Sequence, residues 1–238
     1  MRKILPVLVV LALFPVAEAR ADSIVVGDYV QILSGPNRLA GFPGGEFAVL
    51  DNGNLFITFC LEYAEHISTG SFYWVGGIGS AAVNGGPVNA ASGATGTSDP
   101  IDPMTAYLFT QFRSGTYSLF SDFAGGLATA ARELQMAIWQ IEGEYPLADP
   151  TSNVFYRDAL AALAGTSPYF AGTWTGLGNV AALNLYTTRT EVSPGVFIYS
   201  GFAQDQLVMA SVPEPGTLAL LGTGLIGLAF FVRRRGRK

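Results

Sequence analysis

The sequence predicts an α+β fold: β-sandwich-like strands with a helical insertion, flanked by a cleaved signal peptide and a C-terminal hydrophobic sorting segment. Three patterns predict it. Apolar segments separated by turn signals lie at both ends of the body, over 24–63 and 179–209. Segments with helical periodicity fill the middle, from 102 to 164. Short apolar stretches beside Arg or Lys stand at the two chain ends, 1–21 and 212–238, leaving a body of 22–211.

At the start, Arg2 and Lys3 precede an apolar stretch from Leu5 to Val16, and Ala19-Arg20-Ala21 is a small-x-small cleavage site. The mature chain is therefore expected to begin at Asp22. The stretch is short of the roughly 20 residues a bilayer-spanning helix needs, which argues against an uncleaved anchor.

Ile24 to Leu33 reads as a strand. Glu46 to Leu50 and Leu55 to Tyr63 read as a hairpin around Asp51-Asn52-Gly53-Asn54, because Asn-Gly favours a type I′ turn. Gly, Ala, Asn and Ser dominate 76–100, which reads as a long loop. Asp102 is a natural N-cap for a helix running to Arg113, with Pro103 at its first position. Leu127, Ala131, Leu134, Ile138 and Ile141 form a core stripe along a helix over 127–142. A further helix is expected over 154–164. Asn179 to Tyr186 and Gly195 to Met209 close the body as strands.

The tail begins Val212-Pro213-Glu214-Pro215-Gly216, continues with sixteen apolar or small residues from Thr217 to Val232, and ends Arg233-Arg234-Arg235-Gly236-Arg237-Lys238. A basic cluster after an apolar span is a cytoplasmic stop signal, and two prolines disfavour helix just outside the membrane. In this order the tail resembles the PEP-CTERM sorting signal. The resemblance implies transient membrane insertion by the tail, recognition by an exosortase and processing near Pro213, Glu214 and Pro215. It also implies delivery to the surface or exopolysaccharide matrix of a Gram-negative bacterium. A plain C-terminal anchor is the alternative.

Composition limits what the body can do. The full chain of 238 residues carries a net charge of −5 with one Cys and one His. A lone Cys forms no internal disulfide, and this pair is too few for a zinc site. No cofactor is expected. Over 22–215 there are five arginines, seventeen acids and no lysine, a net charge of −12 that disfavours nucleic acid and anionic lipid. The missing lysines also suit a protein carrying an amine-reactive electrophile.

Chemistry is expected at Cys60. In the predicted strand, Leu55, Ile57, Phe59, Leu61 and Tyr63 share one face, while Phe56, Thr58, Cys60 and Glu62 share the other. Cys60 thus points away from the main apolar set. A small buried thiol and a reactive one are both open on this ground. Gln135 sits one position off the helical stripe, where a solvated side chain is the usual outcome. His66, six residues after Cys60, is a conceivable base for a cysteine hydrolase, though an exposed histidine explains it equally.

Taken together, Phe59-Cys60-Leu61-Glu62 and Leu134-Gln135-Met136-Ala137-Ile138-Trp139 resemble the thioester domains of bacterial surface adhesins, over about 24–210. Thr105 to Phe112 echoes that family's helical region. The resemblance implies an internal thioester between Cys60 and Gln135 that acylates an amine or hydroxyl on another surface. Trp139, Phe56 and Phe59 are candidate water shields. Glu62 or Glu133 are candidate proton carriers, with plain surface charge the alternative for both. Acylation would occur once per molecule, so no enzyme is expected. The competing function is a non-reactive structural protein of the envelope or matrix with Cys60 idle.

Overall fold

The computed structural model describes residues 21–83 and 98–210. The expected signal peptide, the sorting segment with its short transmembrane stretch, and the centre of the Gly-rich 76–100 region lie outside the described residues. Among those described, no helix is long and apolar enough to cross a membrane.

The body is α+β: a six-stranded antiparallel sheet with helices packed beside it. Strands β1 (Tyr29–Ser34), β2 (Phe47–Asp51), β3 (Asn54–Thr58), β4 (Phe72–Gly79), β7 (Val180–Ser193) and β8 (Val196–Met209) are ordered β3-β2-β1-β4-β7-β8. Two short strands, β5 (Ala81–Ala82) and β6 (Asp99–Pro100), pair separately inside the region expected to be all loop. Between them and β7 come α1 (Pro103–Arg113), α2 (Ser118–Ser121), α3 (Leu127–Ile141) and α4 (Val154–Leu163).

Local rules account for several boundaries. Asn52 and Gly53 have φ of 47° and 87°, the left-handed pair a type I′ turn requires, and they join β2 to β3. The Asp102 side chain accepts from Met104 N–H at 2.7 Å, with Pro103 filling the position where a lost donor costs nothing. Asn153 Oδ1 accepts from the N–H groups of Phe155 and Tyr156 and starts α4.

Other expectations need correction. The first strand starts at Tyr29 rather than Ile24, since the chain turns at Gly27 with φ 102°. β3 ends at Thr58, and its buried side chains are Phe56 and Thr58 while Leu55 is 59% exposed. The sheet buries the face opposite to the one with more apolar residues. Leu127 is exposed at the mouth of α3, because that helix buries a broad surface from Ala130 to Trp139 rather than a narrow stripe. β7 runs seven residues past Tyr186, pairing only with β8 in a projecting ribbon.

The sandwich-like core comes from one curled sheet whose edge regions meet. Beyond β3, Cys60 forms an antiparallel bridge with Gln206 of β8. Leu61 N–H donates to Asp205 O at 3.0 Å and Leu207 N–H to Phe59 O at 2.9 Å. This seam separates two apolar clusters. Phe59 and Leu61 join the helices, whereas Cys60 joins Val30, Ile32, Val75, Leu183 and Trp139 on the sheet side. The body's ends also meet: Asp22 pairs with Arg113 at 2.8 Å and accepts from Met209 N–H at 2.9 Å.

Candidate functional site

The seam places Cys60 with groups far away in sequence. Directly opposed residues on antiparallel strands project to the same side, so Gln206 meets Cys60, and the period of two brings Gln204 to that side as well. Cys60 Sγ donates to Gln204 Oε1 at 2.9 Å, and Gln206 Nε2 donates to Sγ at 3.5 Å. The thiol is fully buried. Burial pushes its pKa up to about 12, against the pull of the Gln206 hydrogen bond, so the resting group is a neutral thiol.

Gln135 is also fully buried, contrary to the solvated position expected one step off the stripe. α3 lies between the two clusters: Leu134 and Ile138 face the helices, and Trp139 faces the sheet. Gln135 and Trp139, four residues apart, share that second face. The Gln135 carboxamide is clamped onto Cys60. Its Oε1 accepts from Cys60 N–H at 3.0 Å, and its Nε2 donates to Cys60 O at 2.8 Å. Oε1 also accepts from Gly45 N–H at 3.3 Å.

Gly45 belongs to a loop over 35–46 whose ends touch, with Gly35 N–H donating to Glu46 O at 3.1 Å. Such closure defines an Ω-loop. The buried Glu46 carboxylate holds its rim by accepting from Asn37 N–H at 3.0 Å and Asn37 Nδ2 at 2.9 Å. A β-carbon on Gly44 would overlap Trp139 Cη2 and lie 2.7 Å from Gln135 Cγ, so only glycine lets this backbone rest on α3. Gly45 itself has φ of 92°.

Glu62 is buried two residues from Cys60 and accepts from Asp205 N–H at 2.9 Å. Gln204 Nε2 donates to Glu62 O. Burial, and then the nearby Asp205 and Glu65 carboxyls, hold the Glu62 pKa well above the ordinary range. Asp205 is raised too, chiefly by burial, although Val83 N–H, Asn184 Nδ2 and Leu185 N–H all donate to it. Both carboxyls are thus held above the ordinary carboxylate range, chiefly by burial.

The remaining candidates divide. Trp139 and Phe56 share the Cys60 cluster, and Trp139 is packed by Phe42 and by the edge of Tyr63. Phe59 turns to the helices and meets Phe112 instead. Glu133 lies away from the thiol, paired with Arg132 and accepting from Asn153 Nδ2. His66 is exposed. Among the described residues, no group of three or more His, Cys, Asp and Glu is placed to hold a metal ion. Sequence reasoning missed Gly44, Gly45, Gln204 and Gln206. The uninterrupted polar run Gln204-Asp205-Gln206 inside an apolar strand was the available signal for the last two.

The fold thus defines a body with a buried centre in which the Gln135 carboxamide is held on the main chain of Cys60. Residues 211–235, directly after the last described strand, match the PEP-CTERM protein-sorting motif. That motif marks an exported protein of the Gram-negative envelope that is processed by an exosortase. No curated protein and no solved structure matches the chain.

Proposed function

We propose that the exported body is a covalent adhesion or cross-linking module, in which Cys60 Sγ and Gln135 Cδ join as an internal thioester and then acylate a surface amine or hydroxyl. One observation carries this reading: the reciprocal clamp, at 3.0 and 2.8 Å, of a fully buried Gln135 carboxamide on the main chain of Cys60 itself. Full near-attack positioning of two reacting groups is worth about 7–11 kcal/mol, and the clamp fixes the carboxamide half of that arrangement.

The atoms balance without a co-reactant. The sulfur adds to Cδ, the C–N bond breaks, the thiol proton ends on the leaving nitrogen, and ammonia departs. The product sulfur is uncharged, which suits a site that raises the thiol pKa to about 12. The same property makes the thiolate a poor leaving group for stray water, and the neutral Glu62 can protonate the sulfur when a true acceptor attacks. With no lysine in 22–215, the acceptor comes from another molecule or is a hydroxyl. Transfer happens once per molecule, so the module is not an enzyme.

A second reading is a non-reactive envelope or matrix protein with Cys60 as a free thiol. It is favoured by the direction of Sγ, which donates to Gln204 at 2.9 Å. Intact mass separates the two. The untreated body should weigh one ammonia less than its sequence, resist thiol alkylation until denatured, and gain methylamine at Gln135 with release of a free thiol. Full sequence mass in fresh, neutral-pH protein would leave only the second reading.

A further inference from the structure

The thioester reading leaves one requirement unassigned. When sulfur, or later an acceptor, adds to Gln135 Cδ, the carbonyl electron pair moves onto Oε1 and leaves a negative oxygen in a buried site. Such a charge is costly unless donors already point at it.

Two donors do, and neither is a side chain. Cys60 N–H lies 3.0 Å and Gly45 N–H 3.3 Å from Oε1. They come from unrelated parts of the chain: Cys60 from the seam between β3 and β8, Gly45 from the Ω-loop. The loop is built to put its donor there. Gly44 removes the β-carbon that would hold the backbone off Gln135, Gly45 takes a φ of 92°, and Asn37 fastens the rim to Glu46. Arg38 adds to this closure, with its guanidinium over the Phe47 ring at 4.4 Å and directed at the carbonyls of Phe42 and Gly44.

Resting on the thioester reading, we infer that the main-chain N–H groups of Cys60 and Gly45 form an oxyanion hole around Gln135 Oε1, with the 35–46 Ω-loop supplying the Gly45 half. Sulfur adds to Cδ and the π pair goes to Oε1, held by both N–H groups. The thiol proton passes to Nε2, which the Cys60 carbonyl holds at 2.8 Å. The C–N bond then breaks, the pair returns to the carbonyl, and ammonia leaves. Attack by an acceptor rebuilds the same oxyanion, so one hole serves formation and transfer. The loop also lines an open cleft of about 440 Å³ with Ser34, Arg38, Leu39 and Phe42.

The test follows the time course of ammonia loss and of methylamine uptake by intact mass, with folding checked by circular dichroism. Gly45→Pro deletes the donor, and Gly44→Ala pushes the loop off Gln135 while keeping it. Each should slow both steps by about 10²–10³, the effect of deleting one such donor. Ile198→Thr, on the exposed part of the β7–β8 ribbon and outside both the loop and the cleft, should react at the wild-type rate. Should a glycine variant fail to fold, Asn37→Ala loosens the rim without touching the site, and slower reaction is expected there as well. Wild-type rates in folded Gly45→Pro and Gly44→Ala, or in Asn37→Ala where these do not fold, would overturn the oxyanion hole and leave the thioester standing. A wild-type protein of full sequence mass would overturn the thioester, and the hole with it.

Discussion

Two buried acids, Asp158 in the helical layer and Glu62 at the seam, have opposite surroundings. In the helical layer, Asp158 accepts from Tyr107 Oη at 2.8 Å, Tyr117 Oη at 2.6 Å and Ser167 Oγ at 2.5 Å. Burial, and hydrogen bonding to Asp158, hold both tyrosine pKa values above their ordinary range, so the donors stay protonated. At the seam, Glu62 has acids for neighbours, and burial beside them keeps its own proton on. The first cluster ties α1, the start of α2 and the loop after α4 to a single side chain. The second gathers the carboxyls of Glu62, Asp205 and Glu65 at the seam, two residues along the chain from the thiol. An acid surrounded by donors acts as a fastening. An acid surrounded by acids is pushed toward its neutral form.

Breaking the fastening should have the largest effect. Asp158→Ala leaves two tyrosine hydroxyls buried without their acceptor and should cost about 3–5 kcal/mol, read from the urea midpoint. The folded fraction should still show the wild-type deficit of one ammonia against its own sequence mass. Gln135→Ala should cost less, about 2–3 kcal/mol, since it orphans two N–H groups and a carbonyl that are already close to one another. It should also abolish both the ammonia loss and amine uptake.

Cys60→Ala removes a smaller buried group and should cost about 1–2 kcal/mol, with the fold retained and all amine uptake gone. Loss of uptake in this variant together with a stability close to wild type would show that the seam's chemistry and its packing are separable. A Cys60→Ala protein that takes up methylamine as before would remove the thiol from the chemistry.

Acidity sharpens the contrast further. The folded-state pKa of Glu62 lies above its ordinary 4.5, so between those values the folded chain binds more protons than the unfolded one. Its contribution to stability is therefore full below about pH 4.5 and declines as pH rises. Glu142, pushed up to about 8 mainly by burial, acts in the same sense between 4.5 and 8. Glu62→Gln and Glu142→Gln should each flatten the fall in melting temperature across that range, and an unchanged slope would contradict the raised values. The smallest effect is expected on the projecting ribbon, where Ile198 is 54% exposed: Ile198→Thr should stay within about 0.5 kcal/mol of wild type by urea unfolding.

The sequence by itself determined the features whose causes lie within a few residues. Asn52-Gly53 dictated a left-handed turn, Asp102-Pro103 started α1, the spacing of Ala131, Leu134 and Ile138 made α3 a helix, and the Pro-Glu-Pro, apolar, Arg-rich order marked the tail for sorting. The pairing of motifs also singled out Cys60 and Gln135, and their separation of 75 residues says nothing about distance, yet the fold clamps them together. Only the tertiary structure decided which face of β3 is buried, because alternation specifies two faces and not which one meets the core. It alone decided that Gln135 is dry, since a helix between two layers buries positions that a one-sided stripe leaves wet. It also supplied Gln204, Gln206 and Gly45. Gln206 reaches the thiol through a pairing 146 residues long, and Gly45 reaches Gln135 through a backbone donor that every residue type except proline carries and that no side-chain pattern can announce.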